Sequence, residues 1–188
     1  MDVLDRAVIF AAKAHSGQTR KMAAGPYILH PMEAATIVGT MTNDKEVIAA
    51  AMLHDTVEDT SVTAEQILAE FGPRVAQLVA SETENKYEDR PAAETWHIRK
   101  EESLRVLEGT DNLDVKRLWL GDKLSNIRSL YRNFCKKGEG VWKYMNEPDP
   151  QAQGWYYRSI ADAMPELRDE PAWREYDRLV RAIFEGKL

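Results

Sequence analysis

The sequence predicts an all-α fold. Apolar residues recur at three- and four-residue spacing along nearly the whole chain, no alternating β-branched run is long enough to build a sheet, and helix start and stop residues bracket the apolar stripes. With 188 residues and no Gly/Ser-rich linker between two cores, one helical domain over 1–188 is expected.

The first helix, about 3–15, puts Leu4, Ala7, Val8, Ala11 and Ala12 on one face, and Gly17 stops it. After the Gly25-Pro26 loop, Pro31 opens a second helix carrying Ala34, Ala35, Val38 and Met41. Asn43-Asp44 caps a third, whose apolar stripe Val47, Ile48, Ala51 and Met52 runs into His54-Asp55. Thr63-Ala64-Glu65-Gln66 has the capping-box form and starts a helix ending at Phe71-Gly72, and Pro73 begins the next. Residues 82–94, rich in Glu and Asp and holding Pro91, read as an exposed loop that could serve as a lid. Helices resume at about 94–108, 113–134, 151–164 and 170–184, separated by Gly138, Gly140, Pro148 and Pro150 in the longest irregular connection.

Charge and composition narrow the function. Thirty-one acidic against 25 basic residues give a net charge of −6, which argues against a nucleic acid polymer as partner but leaves room for a local basic pocket. No apolar run approaches the roughly 20 residues of a membrane span, and the N-terminus lacks the order of a secretory signal, so a cytoplasmic protein is expected. The single cysteine, Cys135, makes neither an internal disulfide nor a thiolate metal site and reads as at most a buried thiol. The apolar helices suffice for a homodimer, although no seam stands out.

Four metal-competent residues sit in apolar surroundings: His30, His54, Asp55 and Asp122. His54-Asp55 continue the inward face of the third helix, and Asp122 follows Val115, Leu118 and Trp119 at helical spacing, with Asn126 one turn later. Two imidazoles and two carboxylates form a mixed N/O set suited to manganese, iron or zinc more than calcium, with positions left for water and substrate. Glu58-Asp59 follow one turn after His54-Asp55, so polar side chains converge at one helix end.

The stretches Ala14-His15-Ser16-Gly17-Gln18-Thr19-Arg20-Lys21, Pro26-Tyr27-Ile28-Leu29-His30-Pro31, Leu53-His54-Asp55-Thr56-Val57-Glu58-Asp59-Thr60 and Gly121-Asp122-Lys123-Leu124-Ser125-Asn126-Ile127-Arg128 resemble the HD-domain phosphohydrolases, within them the RelA/SpoT hydrolase domain and the small alarmone hydrolases. The resemblance implies an HD-type helical bundle with a motif core over about 4–130 and a helical extension over about 131–188. It also implies one divalent ion on His30, His54, Asp55 and Asp122, manganese foremost, with iron, zinc, magnesium or nickel as alternatives. Glu58 and Asp59 match the pair that orients or deprotonates the attacking water. Arg20 and Lys21 match basic residues near the substrate phosphates, and Asn126 matches a position near sugar and phosphates. The implied reaction is removal of the 3′-pyrophosphate from ppGpp. The alternatives are a nucleotide phosphatase acting on a substrate such as NADPH, or a catalytically idle nucleotide-binding regulator. Gly121 and Ser125 stand where alarmone hydrolases commonly carry Ala and an aromatic residue or His, a departure expected to bear on the base pocket. Trp96, Arg99 and Lys100 read, on spacing alone, as an amphipathic helix with solvated charges, and Trp155, Tyr156 and Tyr157 as core more than as a stacking platform.

Overall fold

The structure, a computed structural model, describes residues 1–20, 25–87 and 89–186. Among these residues ten α-helices follow in order: α1 (Val3–Ala14), α2 (Leu29–Val38), α3 (Lys45–Leu53), α4 (Thr56–Asp59), α5 (Ala64–Phe71), α6 (Pro73–Ala80), α7 (Ala92–Glu108), α8 (Leu113–Lys137), α9 (Pro150–Asp162) and α10 (Pro171–Phe184). Two 3₁₀ turns, Gly138–Tyr144 and Pro165–Leu167, link the last three, and an isolated bridge between Thr19 and Pro26 is the only β pairing among the described residues.

Local chemistry sets the helix starts. The Thr63–Gln66 capping box forms as expected, and Asp44, Asn112 and Asp149 each accept from a backbone N–H at the start of α3, α8 and α9. Each such cap is worth about 1 kcal/mol. A capping box the pattern did not announce, Asp2 with Asp5, starts α1.

The inward face of α1 differs from expectation: Ala7 and Ala11 are fully buried, whereas Val8 and Ala12 face solvent. α1 packs on α3, where Ala49, Ala50 and Ala51 are also fully buried, so close approach of two small-residue faces outweighs the larger apolar area of Val8. α2 begins at Leu29, two residues ahead of Pro31, and Cys135 is exposed, not buried.

α8 is the spine of the bundle, contacted by α2, α3, α6 and α10. Its approach to α2 is set at Gly121, where a Cβ would lie 2.6 Å from Val38 Cγ2 and 3.0 Å from the Ala34 carbonyl oxygen. Only glycine fits that distance, and it brings Asp122 on α8 toward His30 on α2. The residues after 131 join the same core: α10 packs on α8 and α9, and the fully buried Tyr176 donates from its hydroxyl to the Tyr157 carbonyl at 2.9 Å. Among the described residues, no helix is long and apolar enough to cross a membrane.

Gly121→Ala is expected to lower stability by about 1–3 kcal/mol through overpacking. Denaturant unfolding checks this, and an unchanged midpoint contradicts the close approach of α2 and α8.

Candidate metal centre and catalytic cleft

α3 does not run unbroken into Glu58-Asp59 as the sequence suggested. It ends at Leu53, and His54 and Asp55 form a turn before the single-turn α4. The interruption leaves the Ala51 carbonyl free to accept from His54 Nδ1 at 2.8 Å. A carbonyl only accepts, so Nδ1 carries a proton, and the lone pair that a metal or a second proton would take is on Nε2.

That lone pair points into a cluster. His54 Nε2 lies 3.3 Å from His30 Nε2, 3.1 Å from Asp55 Oδ2 and 3.5 Å from Asp122 Oδ1, while His30 Nε2 lies 3.4 Å from Asp55 Oδ2 and 3.0 Å from Asp122 Oδ1. His30, His54 and Asp122 are buried, and their ligand atoms fall within 4.8 Å of one another, the spacing of a candidate divalent-metal site. Asp55 joins through its contacts to the same two nitrogens. Electron-rich atoms packed this closely away from water require positive charge between them, as protons or as a cation. The donor set fits a transition-metal ion with mixed N/O ligands.

The electrostatics follow. Burial works against charge on His54, but Asp55 beside it and hydrogen bonding to Asp122 and Asp55 raise its pKa well above the usual imidazole value. Burial likewise opposes charge on Asp55 and Asp122, yet the His54 charge and the His30 hydrogen bond hold Asp55 well below the usual carboxylate range, and Lys123 with the two histidines does so for Asp122. Lys123 pairs with Asp122 and sits over the Trp119 ring at 4.8 Å.

The two expected water-activating acids differ in environment. Asp59 is pinned: Lys86 Nζ donates to its Oδ1 at 2.5 Å, and the Tyr27 hydroxyl lies 2.8 Å from its Oδ2 and 2.6 Å from Asp55 Oδ2. Glu58 is freer, with Lys86 Nζ 3.6 Å from its Oε1 and the Glu84 N–H at 3.4 Å. Burial, then the charges of Asp55, Glu84 and Asp59, push its pKa up.

Arg20 and Asn126 line a cleft of ≈ 660 Å³ that opens beside the cluster, together with Glu58, Asp59, Lys86 and Tyr157. Beside it the Tyr27 backbone N–H donates to the Gln18 carbonyl at 2.9 Å and the Arg20 backbone N–H to the Gly25 carbonyl at 3.3 Å. Asn126 bridges the two parts of the site: its Oδ1 accepts from Arg20 at 2.5 Å and its Nδ2 donates to Asp122 at 2.6 Å. Lys21 lies outside the described residues.

The start of the loop after α6 departs from the expectation of an exposed segment, which holds for residues 89–94. Glu82 is buried with neither carboxylate oxygen partnered, 4.0 Å from Lys123, and burial together with the Asp122 charge pushes its pKa up to about 8. The Glu84 carboxylate accepts from Arg99 at 2.8 Å, Lys100 at 2.5 Å and Ser103 at 3.1 Å, so those two cations on α7 are internal partners of the loop and not solvated charges. Glu82, Glu84, Lys86, Tyr27 and Lys123 all line the small cavity or cleft around the cluster, and sequence periodicity assigned none of them to it. Tyr27 and Lys123 lie inside the quoted motifs, whereas no sequence pattern pointed to Glu82, Glu84 or Lys86. Tyr156 and Tyr157 are buried as expected, while Trp155 is partly exposed against His97.

A family model described as an HD domain matches residues 7–144. The chain belongs to the HD-domain family. It is 38% identical over 133 residues to a guanosine-3′,5′-bis(diphosphate) 3′-pyrophosphohydrolase of Vibrio cholerae, covering 69% of this chain and 18% of that protein. It is 33% identical over 132 residues to a GTP pyrophosphokinase of Myxococcus xanthus, covering 69% and 17%. The chain thus spans less than a fifth of the length of these curated relatives. Among solved structures, this HD-domain chain superposes with a TM-score of 0.79 and 25% identity on a metazoan ortholog of SpoT described as hydrolysing ppGpp, covering 100% of this chain and 98% of that one. A protein of Listeria monocytogenes EGD-e matches at TM-score 0.73 and 36% identity, covering 87% and 99%.

The histidine shift gives a pH dependence. A raised folded-state pKa means that the stabilisation from His54 is complete below its ordinary value of about 6.5 and is lost as pH rises through the folded-state value. Asp55 and Asp122, held low, contribute above the ordinary carboxylate range and lose that contribution only in acid. Chelated protein is therefore expected to lose thermal stability toward alkaline pH, and a divalent ion, standing in for the proton, to prevent that loss. Melting curves across pH with chelator or metal check this; coincident curves contradict it.

Proposed function

We propose that the protein is a metal-dependent phosphohydrolase acting on a phosphorylated nucleotide, and that it removes the 3′-pyrophosphate of a ppGpp-type guanosine alarmone. The observation that carries the reading is the convergence of His30, His54, Asp55 and Asp122 at one point, with Glu58 and the Arg20 cleft beside it. The names of the Vibrio relative and of the metazoan structure support the substrate class.

His30, His54, Asp55 and Asp122 would hold one divalent ion, manganese by resemblance, which when bound polarises phosphoryl oxygens and acidifies water. Glu58, the less constrained of the two acids, its pKa pushed up by burial, takes the proton of the attacking water. Asp59, held between Tyr27 and Lys86, orients that water. The water oxygen bonds to phosphorus, the bond from phosphorus to the ribose 3′ oxygen breaks, that oxygen takes up a proton from solvent in the open cleft, and pyrophosphate departs. Arg20 and Lys21 offset the phosphate charge, and Asn126 keeps Arg20 in register with Asp122. The acidic net charge of −6 supports a small nucleotide, not a nucleic acid polymer or a membrane, as partner in the cytoplasm.

Asp122→Ala is expected to lose metal and turnover together, whereas Glu58→Gln keeps its metal and loses about 10²–10⁴-fold in kcat. Elemental analysis beside a pyrophosphate-release assay separates the two, and full activity in Asp122→Ala would falsify the ligand assignment. Arg20→Ala is expected to raise KM about tenfold with metal content unchanged, for loss of a charge-assisted contact. An unaltered KM removes Arg20 from the phosphate site. A nucleotide panel that includes ppGpp and NADPH, run with manganese and again after chelation, decides the substrate.

A further inference from the structure

We propose that Ser125 and Glu33 are positioning residues for His30, a two-link hydrogen-bond relay that dictates which imidazole nitrogen faces the metal. The proposal rests on the reading above that His30 is a ligand.

His30 Nδ1 lies 2.8 Å from Ser125 Oγ, and Ser125 Oγ lies 2.8 Å from Glu33 Oε2. The histidine is buried and the serine has no solvent exposure, so water cannot replace either link. A serine hydroxyl has one proton and a carboxylate only accepts. The proton therefore goes to Glu33, the serine oxygen accepts from His30 Nδ1–H, and Nε2 is left with its lone pair toward His54, Asp55 and Asp122. In the opposite arrangement two oxygens would face each other at 2.8 Å without a proton, and an Nε2–H would occupy the space a cation needs.

The relay has an outer support. Arg128 Nη1 donates to Glu33 Oε1 at 3.2 Å, while its Nε and Nη2 grip the Glu175 carboxylate at 2.8 and 2.6 Å. Such a forked pair fixes orientation as well as charge. Glu175 lies on α10, beyond the 7–144 stretch matched by the family model, so the C-terminal helix bears on the metal site through side chains. The two histidines thus differ: a backbone carbonyl orients His54, whereas side chains that substitution can remove orient His30.

The test uses the full chain and Zn²⁺ alone as a diamagnetic probe, with affinity measured by chelator competition and the imidazole nitrogens observed by ¹⁵N–¹H correlation. In the wild type, His30 is expected to show a protonated Nδ1 and a metal-bound Nε2. Ser125→Ala is expected to weaken Zn²⁺ binding by about 10–100-fold, the usual cost of losing a partner behind a ligating histidine, and Ser125→Thr, which keeps the hydroxyl, to recover most of it. Glu33 is partly exposed, so Glu33→Ala carries the same test if Ser125→Ala fails to fold. Affinity in these variants within about twofold of wild type, far below the expected loss, overturns the relay and leaves the proposed function standing. Metal on Nδ1 of His30 does the same. Failure of the wild type to bind Zn²⁺ overturns the proposed function itself.

Discussion

Two imidazole nitrogens 3.3 Å apart, each 3.0–3.5 Å from carboxylate oxygens of Asp55 and Asp122 and largely shielded from solvent, impose the constraint on which the rest of this molecule turns. Such a cluster repels itself unless positive charge sits inside it, and the surroundings are arranged around that need. Lys123 neutralises one side of Asp122, the Tyr27 hydroxyl faces Asp55, and the histidines keep their second nitrogens occupied. The protein invests burial in a site that a metal-free chain finds costly.

The helix packing is the means of holding it. The cluster draws one residue from α2, two from the turn between α3 and α4, and one from α8, so its dimensions are those of the interhelical distances. Gly121 brings α8 onto α2 at one end, and fully buried alanines bring α3 into the bundle at the other. Polar links cross the same boundaries: Arg20 to Asn126 to Asp122 ties the cleft to the His-Asp cluster, and Lys86 ties the loop after α6 to Asp59. Close helix approach and polar bridging thus act on the same few residues, which is why the cleft lies directly beside the cluster.

Much of this was legible in the sequence because helical periodicity makes an inward polar residue conspicuous. His54-Asp55 and Asp122 interrupt apolar stripes, and the structure buries His54 and Asp122 among the core helices with Asp55 half-buried beside them. The Thr63–Gln66 start of α5 was equally plain, since capping depends on three neighbouring residues. Where periodicity is absent the reading failed. Glu82 and Glu84 sit in a loop whose composition looks solvated, and only the cations of α7 and α8, remote in sequence, draw them inside. Ser125 is a small hydroxyl that suits a helix surface or a relay equally well, and its partners lie 95 and 92 positions away. Val8 was misplaced because apolarity says nothing about how near two helices come.

Anomalous diffraction from crystals grown with manganese tests the central claim most directly. The account predicts one strong peak bounded by His30 Nε2, His54 Nε2, Asp55 and Asp122, within ligand distance of all four. A well-ordered protein with those four side chains in place and no peak between them would contradict it.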